Sequence, residues 1–346
     1  MAESAFAGTI EVVRGQMSEA RADQVLKFWS REGALEGEAP RERLPEVVCV
    51  LLDDAGKVAG VNSVHAADVS VVGRRRFWIY RNFLVPEASS SDRAMLNAAF
   101  AALEKEFESD RSGPIGLCRL VANPAEYGPE AIWPETELMY AGYLDDGKQV
   151  RIRYFWDAVI GPGLPDSPSL DASKGHDYPL EDRYRLELLA ETDAATHDDV
   201  LGLWEREAVL PPAEAGRRVH EVLLVATEEK GGVVGVSSAY LSRNPQLRMS
   251  LWNYRAYVAE AHRSSNLAVR LAVEGRELLE KRFVSGEDAR ALGIVYEVEN
   301  EGLKTYFNRA LWLPAGVTFI GENERGDHVR VRYFAGAVAP GPPPKA

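Results

Sequence analysis

The sequence predicts an α/β (α+β) protein of two tandem domains, each a mixed, mostly antiparallel sheet flanked by helices. Three observations carry this. The chain repeats itself in order along its length. Each copy mixes hairpin signals with a strand–helix–strand pattern. A segment rich in Pro, Gly, Ser and Asp separates the copies.

The repeat is anchored at several points. "FWSREGAL" (Phe28 to Leu35) is answered by "LWEREAVL" (Leu203 to Leu210), with Trp29 and Trp204 in register. At the same spacing of 175 residues, "EVVCVLLDDAGKVAGVNS" from Glu46 matches "EVLLVATEEKGGVVGVSS" from Glu221. After a one-residue slip "IYRNFLV" matches "NYRAYVA", and the copies close on "VRIRYFWDAV" from Val150 and "VRVRYFAGAV" from Val329. The expected division is residues 1–160, a linker over 161–179, residues 180–339, and a disordered or polyproline-like tail over 340–346.

Within each copy an amphipathic helix bears the tryptophan. A strand from Glu46 or Glu221 follows, then a Gly-containing turn ("DDAGK", "EEKGG") and a second strand, as in a hairpin. A third strand, "RFWIYRNFLV" or "MSLWNYRAYV", is rich in aromatic and branched residues. Next comes a helix. In the first copy Leu96, Phe100, Leu103 and Phe107 recur at helical spacing and form its apolar face. In the second copy "ARALGIVYEVEN" (Ala289 to Asn300) reads as a strand ending at a polar break. A short helix and two strands complete the copy.

Composition limits the functions. Of 346 residues, 46% are apolar and 27% charged, the balance of a soluble globular chain. No apolar run approaches the ~18 residues that span a bilayer. The first residues, "MAESAFAGTIEVVRGQ", lack the basic and apolar regions of a secretory signal, so a cytoplasmic location is expected. Cys49 and Cys118, the only two cysteines, lie in apolar strand-like runs and are expected to be buried thiols. Zinc would need more thiols and a histidine spacing that is absent, so no metal is expected. A formal charge of −13 disfavours nucleic acid as the main partner, although "GRRR" (Gly73 to Arg76) is a local basic cluster.

Two junctions carry a family resemblance. "AYVAEAHRSSNLAVRL" (Ala256 to Leu271) passes from strand to helix through Arg263-Ser264-Ser265-Asn266-Leu267-Ala268. "VENEGLKTYFNRALW" from Val298 places Asn300 at a strand end, before a helix bearing a tyrosine. Together with the order of elements these resemble the GNAT superfamily of acyl-CoA-dependent N-acyltransferases, over both copies. Its strand-to-helix loop has the form Arg/Gln-x-x-Gly-x-Gly/Ala. The resemblance implies acetyl-CoA or another acyl-CoA as co-substrate, with its pyrophosphate on the amides of the helix N-terminus. Tyr257, Val258, Arg263, Ser264, Ser265, Asn266, Ala268 and Asn300 are then the expected cofactor-binding positions. Asn266 stands where the family has glycine, and asparagine tolerates left-handed backbone better than other side chains. The first copy reads Ser89-Ser90-Ser91-Asp92-Arg93-Ala94: no arginine, and a carboxylate where a phosphate would sit. The second copy is therefore the expected coenzyme A site, and the first is degenerate.

The resemblance also implies a tyrosine that protonates the departing thiolate. Counting from Asn300 puts Phe307 there; Tyr306, one residue earlier and about 100° round a helix, is the candidate acid after a shift of register. In the first copy prolines interrupt the segment after Asn123, and Tyr127 is the nearby phenol. Deprotonating an amine requires a base. Glu297 and Glu299 share one face of their strand, either as candidate bases or as its solvent side; Glu297 is preferred. Tyr254 and Trp252 read as core, with Asn253 and Arg255 on the opposite face, and the matched pairs Tyr80-Arg81 and Tyr254-Arg255 read as structural because both copies keep them. Glu46 and Glu221 are expected in ion pairs. His65 and Tyr240 hold equivalent strand positions and, like His262 beside the loop, are either ligand contacts or structural groups. The expected acceptor is an amine of a small molecule or peptide. The alternatives are an inactive binding or scaffold module, and an enzyme acting on a modified nucleoside.

Overall fold

A computed structural model describes residues 6–35, 37–161, 178–229, 231–306 and 308–343. Most of the expected linker and the end of the tail lie outside the described residues; Pro340 to Pro343 carry neither helix nor strand. The chain divides into two compact units, one running to Ala158 and one from Val159 to Pro340.

The first unit contains β1 (Gly8–Val12), α1 (Glu19–Arg31), α2 (Ala39–Arg43), β2 (Val47–Asp53), β3 (Val58–Val69), β4 (Arg75–Leu84), α3 (Asp92–Ser109), β5 (Gly116–Val121), β6 (Met139–Tyr143) and β7 (Gln149–Tyr154). Its seven strands lie in the order β1-β2-β3-β4-β5-β7-β6. Every strand pair is antiparallel except β4 with β5. Helix α1 starts where the Ser18 hydroxyl accepts the Arg21 N–H, and it buries Val25, Phe28 and Trp29 against β2 and β3. Helix α3 buries Leu96, Phe100, Leu103 and Phe107, the face read from their spacing, together with Met95 and Ala99.

The second unit repeats this plan. It contains β8 (Tyr184–Leu188), α4 (His197–Arg206), α5 (Pro212–Arg218), β9 (Val222–Glu228), β10 (Val233–Asn244), β11 (Met249–Val258), α6 (Leu267–Val284), β12 (Gly293–Val298), α7 (Glu301–Tyr306), β13 (Leu311–Trp312), β14 (Val317–Glu322) and β15 (His328–Tyr333). The order is β13-β14-β15-β12-β11-β10-β9-β8, again with one parallel pair, β11 with β12. Thr196 and Asp199 form a reciprocal cap at the start of α4, which buries Val200, Leu203 and Trp204.

The two sheets share a topology as well as a sequence pattern. Each holds a single parallel pair, crossed by one long helix, inside an otherwise antiparallel sheet. The short edge strands β1 and β8 and the short helices α2 and α5 were not legible in the sequence. Strand β1 is mostly exposed, so its residues lack the alternation that marks a half-buried strand. Where the second unit forms α7, prolines in the first leave only a 3₁₀ turn over Pro124–Glu126, as expected from their positions. No helix among the described residues is long and apolar enough to cross a membrane.

Candidate functional site

The parallel pair places the candidate site. β11 and β12 run side by side for three residue pairs only, from Trp252–Ile294 to Tyr254–Tyr296. Beyond them β11 continues to Val258, still paired to β10, and β12 to Val298, still paired to β15. The facing edges of Arg255–Val258 and Glu297–Val298 have parted. They form a notch with backbone groups on both walls and the N-terminus of α6 at its end. The first unit parts in the same way after Tyr80–Arg119.

What fills the two notches differs. In the first unit Arg119, a side chain only 8% exposed, donates to Asp92 Oδ2 at 2.7 Å and to the Tyr127 hydroxyl at 2.6 Å. Asn82 donates to the other oxygen of Asp92. The acid read as a charge-inverted cradle is therefore held in a buried ion pair of the protein's own. At the place of Arg119 the second unit has Tyr296, whose hydroxyl donates to Ala272 O at 3.0 Å. Tyr254 packs against Tyr296, ring centroids 4.8 Å apart and planes tilted by 41°, and both phenols are pushed far up by burial. A Cβ on Gly275 of α6 would come within 2.9 Å of the Tyr254 ring, so this glycine is what lets the helix lie close to the sheet.

The loop at the end of the second notch is built from its own side chains. Ser265 donates to His262 O at 2.6 Å and accepts the Leu267 N–H at 3.3 Å, satisfying one amide of the helix start. By helix geometry the amides of Ala268 and Val269 have no acceptor within α6. Ala268 and Ser264 are exposed on this end. Asn266 has φ −78° and ψ 6°, ordinary backbone that any residue adopts. The left-handed conformation expected of it is thus not used; its amide instead donates to Pro179 O at 3.0 Å. Arg263 is exposed, but it turns back onto its own strand, donating to Val258 O at 3.1 Å and the Tyr257 hydroxyl at 3.3 Å. Burial and the neighbouring Glu207 push the Tyr257 phenol up, against the pull of Arg263. His262 accepts from or donates to the Tyr184 hydroxyl at 2.9 Å, a structural contact of a half-buried ring.

The second junction is less aligned with chemistry. Asn300 caps α7, its Oδ1 accepting the Leu303 N–H at 3.0 Å. Glu297 is exposed and accepts from Arg325 at 3.0 Å and Asn323 at 3.2 Å. Glu299 accepts from the same arginine at 3.2 Å. With Asp327 these carboxylates approach within 4.8 Å of one another, but Arg325 bonds all three and Lys304 reaches Asp327 at 3.5 Å. Two cations thus already pair with these carboxylates, and Glu297 faces solvent as an ion-paired group. Tyr306 ends α7; its side chain, like the whole of Phe307, lies outside the described residues.

Other sequence expectations are met plainly. Glu46 pairs with Arg81, and Glu221 with Arg255 at 2.9 Å. His65 lies in the field of Arg81 and Glu46, while the Arg255 guanidinium lies 4.0 Å from the Tyr240 ring, so both equivalent positions flank the duplicated ion pair. Cys49 and Cys118 are buried free thiols, and burial raises Cys49 to about 11.

The chain is similar to GNAT-family acetyltransferases. One from Streptococcus pneumoniae is 12% identical, with a TM-score of 0.32, over 44% of this chain and 99% of that one. The family member YhbS from Escherichia coli, in complex with CoA, is 18% identical over 45% of this chain and 83% of its own, with a TM-score of 0.30. A Brucella melitensis acetyltransferase in complex with acetyl-CoA is 13% identical over 47% and 95%, with a TM-score of 0.28. No protein-family model and no curated protein matches the sequence. Likeness at this level carries no activity with it.

Proposed function

We propose that the second unit binds an acyl-CoA and transfers its acyl group to an amine of a small molecule or peptide. The observation that carries this is the parted pair β11 and β12, opening toward the first turn of α6, where Ala268 is exposed. An extended ligand with amides can pair with the unpaired strand edges. A phosphate can take the amides of Ala268 and Val269, with Arg263, Ser264 and Ser265 nearby. The dipole of α6, about half a unit of positive charge at this end, favours that anion. In this reading Tyr257 and Val258 wall the notch, and Asn300 shapes its far side by capping α7. Tyr306 remains the candidate acid. The base is water or an acceptor-bound group in place of Glu297, whose carboxylate is bonded to Arg325.

A second reading is favoured by that same ion pair: acyl-CoA binding without transfer. Two measurements separate the readings. Ala268→Glu sets a carboxylate on the first turn of α6, which suits the helix dipole and preserves the fold but repels a phosphate. Titration calorimetry is expected to show acetyl-CoA binding to wild type and at least ten-fold weaker binding to Ala268→Glu; equal binding would refute the site. Thiol release across a panel of amines then tests transfer. Turnover that falls in Tyr306→Phe without loss of binding supports the enzyme, and binding with no turnover supports the second reading.

A further inference from the structure

The unit whose sequence speaks against coenzyme A nonetheless holds a defined cleft. It encloses about 310 Å³ and lies beside the first turn of α3 and the end of β5. That size suits a small molecule. Its walls include four carboxylates, of Asp92, Glu126, Glu130 and Glu135, against two guanidinium groups, of Arg93 and Arg119. Both cations are committed: Arg119 to Asp92 at 2.7 Å and Arg93 to Glu135 at 2.6 Å. Glu126 accepts only a neutral amide, from Asn123 at 2.7 Å, and Glu130 is half-buried. Two negative charges are therefore left on the wall without a cation among the described ion pairs.

The aromatic surface is committed as well. Tyr127 and Trp133 stack with centroids 5.0 Å apart; Arg119 lies 4.4 Å from the Tyr127 ring, and Arg151 lies 4.2 Å from Trp133. A ligand meets this column at its edges, so recognition falls to polar groups. One of them is waiting. Thr136, on the same wall, is 3% exposed, and its buried hydroxyl has no hydrogen-bond partner. Leaving such a group unsatisfied is costly, and a ligand able to bond it removes that cost.

We infer that this cleft is a binding site for a small primary ammonium, bonded by Glu126, Glu130 and Thr136. An ammonium brings the positive charge the wall lacks and three N–H donors for two carboxylates and a hydroxyl. An anion is opposed by the excess of carboxylates. A quaternary ammonium has the charge but no N–H for Thr136 or the carboxylates. The site stands apart from the acyl-CoA reading and survives its failure.

The test is calorimetric titration of the full chain with n-butylammonium chloride and with choline chloride, at 150 mM salt to screen the acidic surface. The expected result is saturable binding of one n-butylammonium, with choline at least ten-fold weaker. Glu130→Gln is expected to weaken n-butylammonium at least ten-fold and Thr136→Val several-fold, with melting curves showing both variants folded. No saturable binding of n-butylammonium, binding unchanged in both variants, or choline binding as tightly would overturn the proposal.

Discussion

At the scale of single residues, the duplicated positions show how one scaffold supports different chemistry. Tyr80 with Arg119 and Tyr254 with Tyr296 occupy the same pairing in the two sheets. Replacing one arginine by a tyrosine removes a buried ion pair from the notch. His65 gives a residue-scale prediction. Its ring is half-buried, with Nδ1 buried and unpartnered. Burial, then Arg81, depresses its pKa below the usual 6.5; Glu46 opposes this and Arg43 adds to the depression. The folded state thus binds its proton more weakly than the unfolded chain does. This contribution to stability is complete above about pH 6.5 and is lost as pH falls through the folded value. Urea midpoints at pH 7.5 and 5.5 check it. Wild type is expected to lose more stability between the two than His65→Gln, and an equal loss would refute the assignment.

At the scale of elements, the closing hairpins carry a repeated device. In "VRIRY" and "VRVRY" the first arginine is fully buried in each unit: Arg151 at 0% and Arg330 at 1% exposure. Arg151 donates to Glu130 O at 2.8 Å and Ala131 O at 3.1 Å; Arg330 donates to Arg309 O at 2.7 Å and Ala310 O at 3.2 Å. Each guanidinium ties β7 or β15 to the segment that leads into the neighbouring edge. Arg330→Lys cannot reproduce that fork and is expected to cost about 2–4 kcal/mol in urea unfolding. Glu221→Gln, which breaks a half-exposed pair, should cost less than about 1 kcal/mol. If the two cost the same, the buried arginine is not the clasp described.

Much of this was legible at the element scale, because burial writes a period into the sequence. The helical spacing of Leu96, Phe100, Leu103 and Phe107 and the alternation of Tyr254 with Arg255 both gave the observed faces. Edge strand β1 was missed because it is mostly exposed; β8 does turn Tyr184, Leu186 and Leu188 to the core, but five residues are too short a run for that alternation to stand out. The partners of the candidate base were not legible for a related reason. Periodicity places Glu297 on a face, but its partner Arg325 lies 28 residues away and meets it only through the pairing of β12 with β15. The Thr136 hydroxyl and the column of Arg119, Tyr127, Trp133 and Arg151 likewise depend on tertiary contacts.

At the scale of the whole molecule, duplication is the governing fact. Two sheets of seven and eight strands share one order, one parallel pair and one parting of strands. They diverge where chemistry would occur. The first unit seals its notch with Asp92 and Arg119 and keeps an acidic cleft beside it; the second has Tyr296 at the place of Arg119 and a serine hydroxyl, Ser265, rather than a carboxylate at the start of its helix. The proposed placing of an acyl-CoA in the second unit rests on this difference. Thermal unfolding of the full chain with acetyl-CoA tests it most directly, since a ligand at about 100 times its Kd stabilises the folded state by about 2.7 kcal/mol. The expected result is an upward shift that Arg263→Glu abolishes and Ser89→Glu preserves. No shift at millimolar acetyl-CoA, or a shift lost in Ser89→Glu and kept in Arg263→Glu, would contradict it.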